Sequence, residues 1–272
     1  VGEQDVTKEG TTMSVTSDRP VLVADADSSS LRPTVFGDGG EILADHRGDS
    51  PPGEDAAGPL RRLSAAAPTP SAVGHRIVHG GPELRGHQLI DDDVRAALDR
   101  AAALAPLHVP PALTVVDAAR DLLPGIPHVA CFDTVFHAGL PAAAREYAVP
   151  SGWREDFGLR RYGFHGLSYA WALDRAAELL DRRPENLHLV IAHLGGGCSA
   201  CAVRDGRSVD TTMGFTPLEG LVMSHRSGSV DPGALTWLQN RHKLSAPTGE
   251  AQQVDRETRA LLGGRHGGPS SG

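Results

Sequence analysis

Short aliphatic runs that stop abruptly at backbone-exposing turns constrain this chain more than any other feature. Val21-Leu22-Val23-Ala24 runs into Asp25-Ala26-Asp27-Ser28-Ser29-Ser30, and Leu187 to Ile191 leads into His193-Leu194-Gly195-Gly196-Gly197. Val129-Ala130-Cys131-Phe132 reads as a buried strand that ends at Asp133, and Arg76-Ile77-Val78 as one that ends in His79-Gly80-Gly81. Between them, helical spacing predicts helices over 91–104, from Pro110 to Leu123, and over 167–180. Strands alternating with helices predict an α/β fold, with ligands at the carboxyl ends of the strands.

Further elements follow from local signals. A strand is expected at 41–44, and Asp205-Gly206 predicts a tight hairpin between 200–204 and 207–211. Helix 167–180 is expected to bury Trp171, Leu173, Ala176, Leu179 and Leu180, with Ser168 as its cap. Short helices are expected at 217–222 and 232–238, and a polar one at 252–262. Residues 1–19 read as a disordered leader, 45–72 as a mobile loop, and 263–272 as a disordered tail, because Pro, Gly, Ser and charge leave little to bury.

Composition narrows the partners. Among 272 residues, 26 Lys and Arg face 34 Asp and Glu, a formal charge of −8, which argues against nucleic acid and anionic membrane as partners. No run approaches the roughly 18 apolar residues of a membrane span, and the start has no signal-peptide character, so a cytoplasmic protein is expected. Cys131, Cys198 and Cys201 are an odd set that suits reduced thiols. A CxxC redox or zinc site at Cys198 and Cys201 is the weakest reading, since an i, i+3 pair on a strand points to opposite faces.

The chemistry concentrates in a few places. Gly195-Gly196-Gly197 lets backbone N–H groups approach an anion such as phosphate, or else forms a tight turn before the hairpin. Arg76 and Arg226 lie in Gly- and Ser-rich surroundings, where each could clamp carboxylate or phosphoryl oxygens or be a solvated charge. His165, in a loop entering a helix, is a candidate donor to developing charge or a structural histidine. Asp133 at a strand end, His108 before two prolines and the glycine turn add an acid, a donor and an anion cradle.

At these residues HRIVHGG, APLHVPP, FDTVFH, RRYGFHG, HLGGG and DTTMGFTPLEGLVMSHRSGSVDP, over residues 74–240, resemble the acetate kinase family in order and nearly in spacing. VLVADADSSSLR looks like that family's first phosphate-binding strand and turn. The resemblance implies the fold of the acetate and sugar kinase, heat-shock ATPase and actin superfamily, with two ribonuclease-H-like domains at 20–140 and 141–262. It implies exchange of ATP and acetate, or propionate, for ADP and acyl phosphate, with Mg2+ as cofactor and a homodimer as the assembly.

By motif, the resemblance makes Asp133, His165 and Arg226 catalytic. Arg76, Val78, Leu107, Phe164 and Pro217 would bind the substrate, with Arg76 on its charge and the other four around its methyl group. Arg32, His193, Leu194, Gly195, Gly196 and Gly197 would bind ATP, and Asp25 would hold the metal. The sequence departs from the family pattern at Asp25 (for Asn), Asp27 (for Gly), Arg32 (for Lys), Gly196 (for Asn), Leu167 and Tyr169 (for Thr and His) and His225 (for Thr). The family's adenosine-binding glycine motif and magnesium-linked Glu lie beyond residue 272, so the second domain is expected to be incomplete. The alternative expectation is a catalytically impaired remnant that serves as an anion-binding or interaction module.

Overall fold

The computed structural model describes residues 19–26, 30–46 and 56–242. Its first part is an antiparallel meander of β1 (Val21–Ala26), β2 (Leu31–Phe36) and β3 (Ile42–Asp45). There follow α1 (Ala57–Ala66), β4 (Ala72–Ile77), β5 (Gln88–Leu89), α2 (Asp92–Ala101), α3 (Val109–Leu122) and β6 (His128–Phe132). The sheet order is β3-β2-β1-β4-β6-β5, with β1, β4 and β6 parallel to one another. Leu22, Ala24 and Ala26 of β1 pack with Leu60 and Leu63 of α1 and with Val115 and Ala119 of α3. A second apolar cluster joins Ile77, Phe132, Leu98 of α2 and Leu113 and Val116 of α3. Helix α3 thus spans both clusters, and Pro110 and Pro111 in its first turn start it without losing a needed backbone donor.

The expected mobile loop at 45–72 is corrected here: its second half is the helix α1. Alanines favour the helix, and Leu60 and Leu63, three residues apart, lie on one face and are buried against the sheet. That burial offsets the chain entropy that composition alone brings to the fore.

Beyond β6 come α4 (Ala142–Arg145), α5 (Ser151–Phe157), α6 (Gly166–Leu180), β7 (His188–Leu194), β8 (Cys198–Arg204), β9 (Arg207–Thr211) and α7 (Pro232–His242). Strands β7-β8-β9 form an antiparallel sheet, and Asp205 and Gly206 take positive φ of 53° and 74°, the two-residue turn the sequence predicts. Helix α6 covers one face through Tyr169, Leu173 and Ala177 against Leu187, Cys201 and Val203. Of the expected stripe Leu173 is buried and Ala176 half-buried, but Trp171 is 70% exposed and Leu179 and Leu180 are exposed too, and Tyr169 and Ala177 complete the buried face instead. The hydroxyl of Tyr169 makes that position look polar in sequence, whereas its ring is the most buried part of the helix.

Three further differences are local. Helix α6 begins at His165 in the left-handed region (φ 60°), not at a Ser168 cap, and the Ser168 hydroxyl bonds His193 instead. Residues 217–222 form turns rather than a helix, with Gly220 at φ 107°. Strand β7 is not a buried strand: Val190 and Leu194 stand exposed on its outer face. The expected leader at 1–19 (bar Arg19), the helix at 252–262 and the tail at 263–272 lie outside the described residues.

The two sheets are joined through buried groups. His137 meets Ser208 Oγ at 2.8 Å through Nδ1 and the Phe164 carbonyl at 3.0 Å through Nε2. The Gly166 amide donates to the Asp133 carbonyl at 2.8 Å, and a Cβ on Gly166 would stand 2.2 Å from that oxygen, so only glycine fits.

Candidate active site

Three parallel strands place the first half of the site. Register sets Asp25 of β1 opposite Arg76 of β4, with Cys131 of β6 on the other side and Asp133 just past that strand's end. Arg76 therefore sits between two acids, donating to Asp133 Oδ2 at 2.8 Å and to Asp25 Oδ1 at 3.3 Å. Asp133 has only 4% of its side chain exposed, so the guanidinium compensates a carboxylate that water no longer reaches. Arg32 lies opposite Asp25 on β2, with its side chain exposed.

The second half hangs on the β7–β8 turn and the start of α6. His165 Nδ1 lies 2.7 Å from Ser199 Oγ, and its ring stacks on His193 with centroids 4.0 Å apart. Burial, reinforced by charge from His193, Arg76, Arg226 and His137, pushes the His165 pKa down to about 3. The imidazole is therefore neutral near pH 7. A Cβ on Gly197 would meet Arg226 Nη1 at 3.3 Å and His165 Nε2 at 3.5 Å, so the glycine turn is where these two side chains converge. Arg226 Nη1 donates to the Pro217 carbonyl at 3.2 Å, and Ser224 Oγ donates to the Gly196 carbonyl at 2.9 Å, tying the turn to the 217–226 segment. His193 Nδ1 faces Ser168 Oγ at 3.0 Å, while the Leu194 side chain points to solvent.

An apolar cluster underlies the polar groups. Val78 and Phe164 are brought together with Met213 and Met223, and Cys198 packs against them. Leu107 and Pro217 are half-buried and lie outside that cluster. His108 occupies the N-cap position of α3. Cys198 faces the Val222 carbonyl and Cys201 the Ser208 hydroxyl, from opposite faces of β8. Burial pushes the Cys201 thiol up to about 11, so it is an inert core group.

Several functional neighbours escape sequence reasoning. Met213 and Met223 sit inside the long DTTMGF motif but carry no sign of their own that they line an apolar floor. Arg161 donates to the Thr211 and Met213 carbonyls at 3.2 Å each and pairs with Glu219 at 2.9 Å, pinning the 211–219 segment. Ser199 and Tyr169, fully buried behind His165, are visible only once the fold sets them side by side.

Among the described residues no group of three or more His, Cys, Asp and Glu is arranged to hold a metal ion. Magnesium, however, commonly takes one or two carboxylates together with substrate phosphates rather than an all-protein cage. Asp25, 45% exposed at a strand end, fits that use, with Asp133 beyond Arg76. Two surface clefts, of about 460 and 430 Å3, flank the β8–β9 hairpin, and neither is lined by Asp133, His165 or Arg226.

The site thus gathers Arg226 and His165 at one glycine turn, with Arg76 close enough for its charge to act on His165. The Acetokinase family model matches residues 64–258, and the chain belongs to that family. It is 51% identical to acetate kinase from Deinococcus radiodurans over 174 residues, 64% of this chain and 44% of that protein. With acetate kinase from a Cyanothece species the identity is 49% over 193 residues, 71% of this chain and 47% of the other. The chain thus spans less than half the length of these curated relatives. Porphyromonas gingivalis acetate kinase superposes with a TM-score of 0.75 at 31% identity, over 90% of this chain and 74% of that one. A propionate kinase from Francisella tularensis gives 0.77 at 30%, over 89% and 67%. These likenesses establish the expected superfamily fold.

Proposed function

We propose that this chain carries the phosphoryl-transfer chemistry of an acetate kinase, converting ATP and acetate to ADP and acetyl phosphate, with propionate as a second acceptor. The observation that carries the reading is the convergence of His165 and Arg226 on Gly197, across from the Arg76–Asp133 pair, within the family-matched segment. Phosphoryl transfer spreads negative charge over three equatorial oxygens, so it asks chiefly for positioned positive charge and hydrogen-bond donors. Arg226 and Arg76 hold the phosphoryl group and the acceptor carboxylate. Neutral His165 donates from Nε2 without adding repulsion against the two guanidiniums. Asp133 keeps the Arg76 fork oriented. The small apolar floor of Val78 and Phe164 takes the methyl group, with Leu107 and Pro217, outside that cluster, assigned to the pocket by the motif resemblance alone.

On the nucleotide side, Arg32 and the segment from His193 through Leu194, Gly195, Gly196 and Gly197 face the phosphates, and Asp25 is the residue that would hold Mg2+. When bound, that ion neutralises charge on the polyphosphate. We divide the chain into domains at 20–140 and 141–262, and take the cytoplasm and a homodimer as the setting that the resemblance implies. The remnant alternative draws no support from the comparisons, in which the matched relatives are kinases.

The test is formation of acyl phosphate, trapped as hydroxamate, from ATP, Mg2+ and acetate or propionate. The expected result is turnover that falls by about 100- to 1,000-fold in His165→Ala, the usual effect of losing one transition-state donor. Turnover unchanged in that variant contradicts the assignment.

A further inference from the structure

We infer that Tyr169 and Ser199 are positioning residues that fix His165 in the tautomer with its proton on Nε2, so that the ring presents a donor to the site. This rests on the donor role proposed for His165 and names what enforces it. Tyr169 and Ser199 are fully buried, and Ser199 Oγ lies 2.5 Å from the Tyr169 hydroxyl and 2.7 Å from His165 Nδ1.

Three hydrogen-bonding groups in a row leave few consistent proton arrangements. Burial pushes the Tyr169 hydroxyl up to about 12, so it keeps its proton near pH 7. Among the described residues, the Tyr169 hydroxyl proton has one acceptor in reach, Ser199 Oγ. Pointed there, it obliges the Ser199 proton to go onward, and the remaining acceptor is His165 Nδ1. The opposite tautomer, with Nδ1–H donating to Ser199, would leave either the phenolic or the seryl proton without an acceptor in the core, at the cost of an unpaired buried polar group. The chain therefore runs from Tyr169 through Ser199 into Nδ1, and Nε2 carries the proton toward Gly197 and Arg226.

The experiment is long-range 15N–1H NMR of the imidazoles in the full 272-residue chain without substrate near pH 7, with His165→Gln to assign the resonances. The expected spectrum has a bare Nδ1 and a protonated Nε2 on His165. In Tyr169→Phe, which keeps the ring and hence the packing, Ser199 loses the donor that strengthens its bond to Nδ1, and an Nδ1–H population appears. In the same variant kcat falls about three- to tenfold with KM for acetate unchanged, the effect of losing one hydrogen bond. Ser199→Ala gives a mixed tautomer as well. An Nδ1–H tautomer in the unmodified chain overturns the inference, as does a Tyr169→Phe spectrum identical to it. If the tautomers behave as expected but the unmodified chain forms no acyl phosphate, the relay stands and the kinase reading falls.

Discussion

The meanders β1–β2–β3 and β7–β8–β9 have the same antiparallel path, yet they hold their functional turns in different ways. On the first, β1 gains β4 as a parallel neighbour, and α1 and α3 cover its buried face with leucine, valine and alanine. Asp25 and Arg76 then sit at strand ends that an aliphatic core keeps rigid. On the second, β7 pairs only with β8 among the described strands, and Val190 on its outer face is 80% exposed. Its turn is held by side-chain hydrogen bonds: Ser224 to Gly196, Ser199 to His165, and Ser168 to His193. The frame of the first region is apolar, and that of the second is polar.

Acid should break this arrangement most strongly, at the histidines rather than at the aliphatic core. Burial pushes His75 down to about 3, and His79 and His137 to about 4. The unfolded chain binds protons on these rings below about pH 6.5 while the folded chain does not, so their stabilisation is complete above that pH and is lost as pH falls toward 4. Urea midpoints measured from pH 7 to 4.5 should drop steadily. His137→Gln should flatten the drop, since that ring joins Phe164 to Ser208. A variant curve parallel to that of the unmodified chain would count against the account.

Core truncation ranks next and separates the two regions directly. Leu60→Ala, at a fully buried position of α1, should cost about 3 kcal/mol by the usual core leucine series. Val190→Ala on the open face of β7 should stay within about 0.5 kcal/mol. Arg161→Ala should cost about 2 kcal/mol, because its carbonyl partners at 211–213 lose a charged donor. Hydrogen exchange should then speed up over 211–219 and not over β1. A smaller loss than at Arg161 is expected at α2, where Asp91 Oδ1 caps the Val94 amide at 2.8 Å: Asp91→Ala should lower stability by about 1 kcal/mol and leave acyl phosphate formation unchanged.

Legibility in the sequence follows the same division. Strands β1 and β6, the hairpin at Asp205-Gly206 and helices α2 and α3 are readable because aliphatic period and turn chemistry agree there, whereas the strand expected at 76–78 matches only the end of β4, which begins at Ala72. Helix α1 is not, since its burial depends on a sheet that local composition cannot reveal. The α6 stripe fails at Trp171 and Tyr169, where hydrophobicity and actual burial diverge. The motifs single out Arg76, Asp133, His165 and Arg226, and the fold brings them near one another. Ser199, Tyr169 and Arg161 act through contacts 30 to 58 residues away in sequence, and the two methionines through shared burial, so no local pattern gives their partners.

Under the proposed function, the apolar-framed and the polar-framed regions share a single acyl phosphate site. Calorimetric binding of acetyl phosphate to the unmodified chain, to Arg76→Ala, to Arg226→Ala and to the double variant tests it most directly. The account predicts that each single substitution weakens binding about tenfold or more, and that the double variant loses less than the sum, as groups sharing one ligand do. Binding that survives either substitution unchanged, or losses that add fully, would mean that the two regions do not share a site.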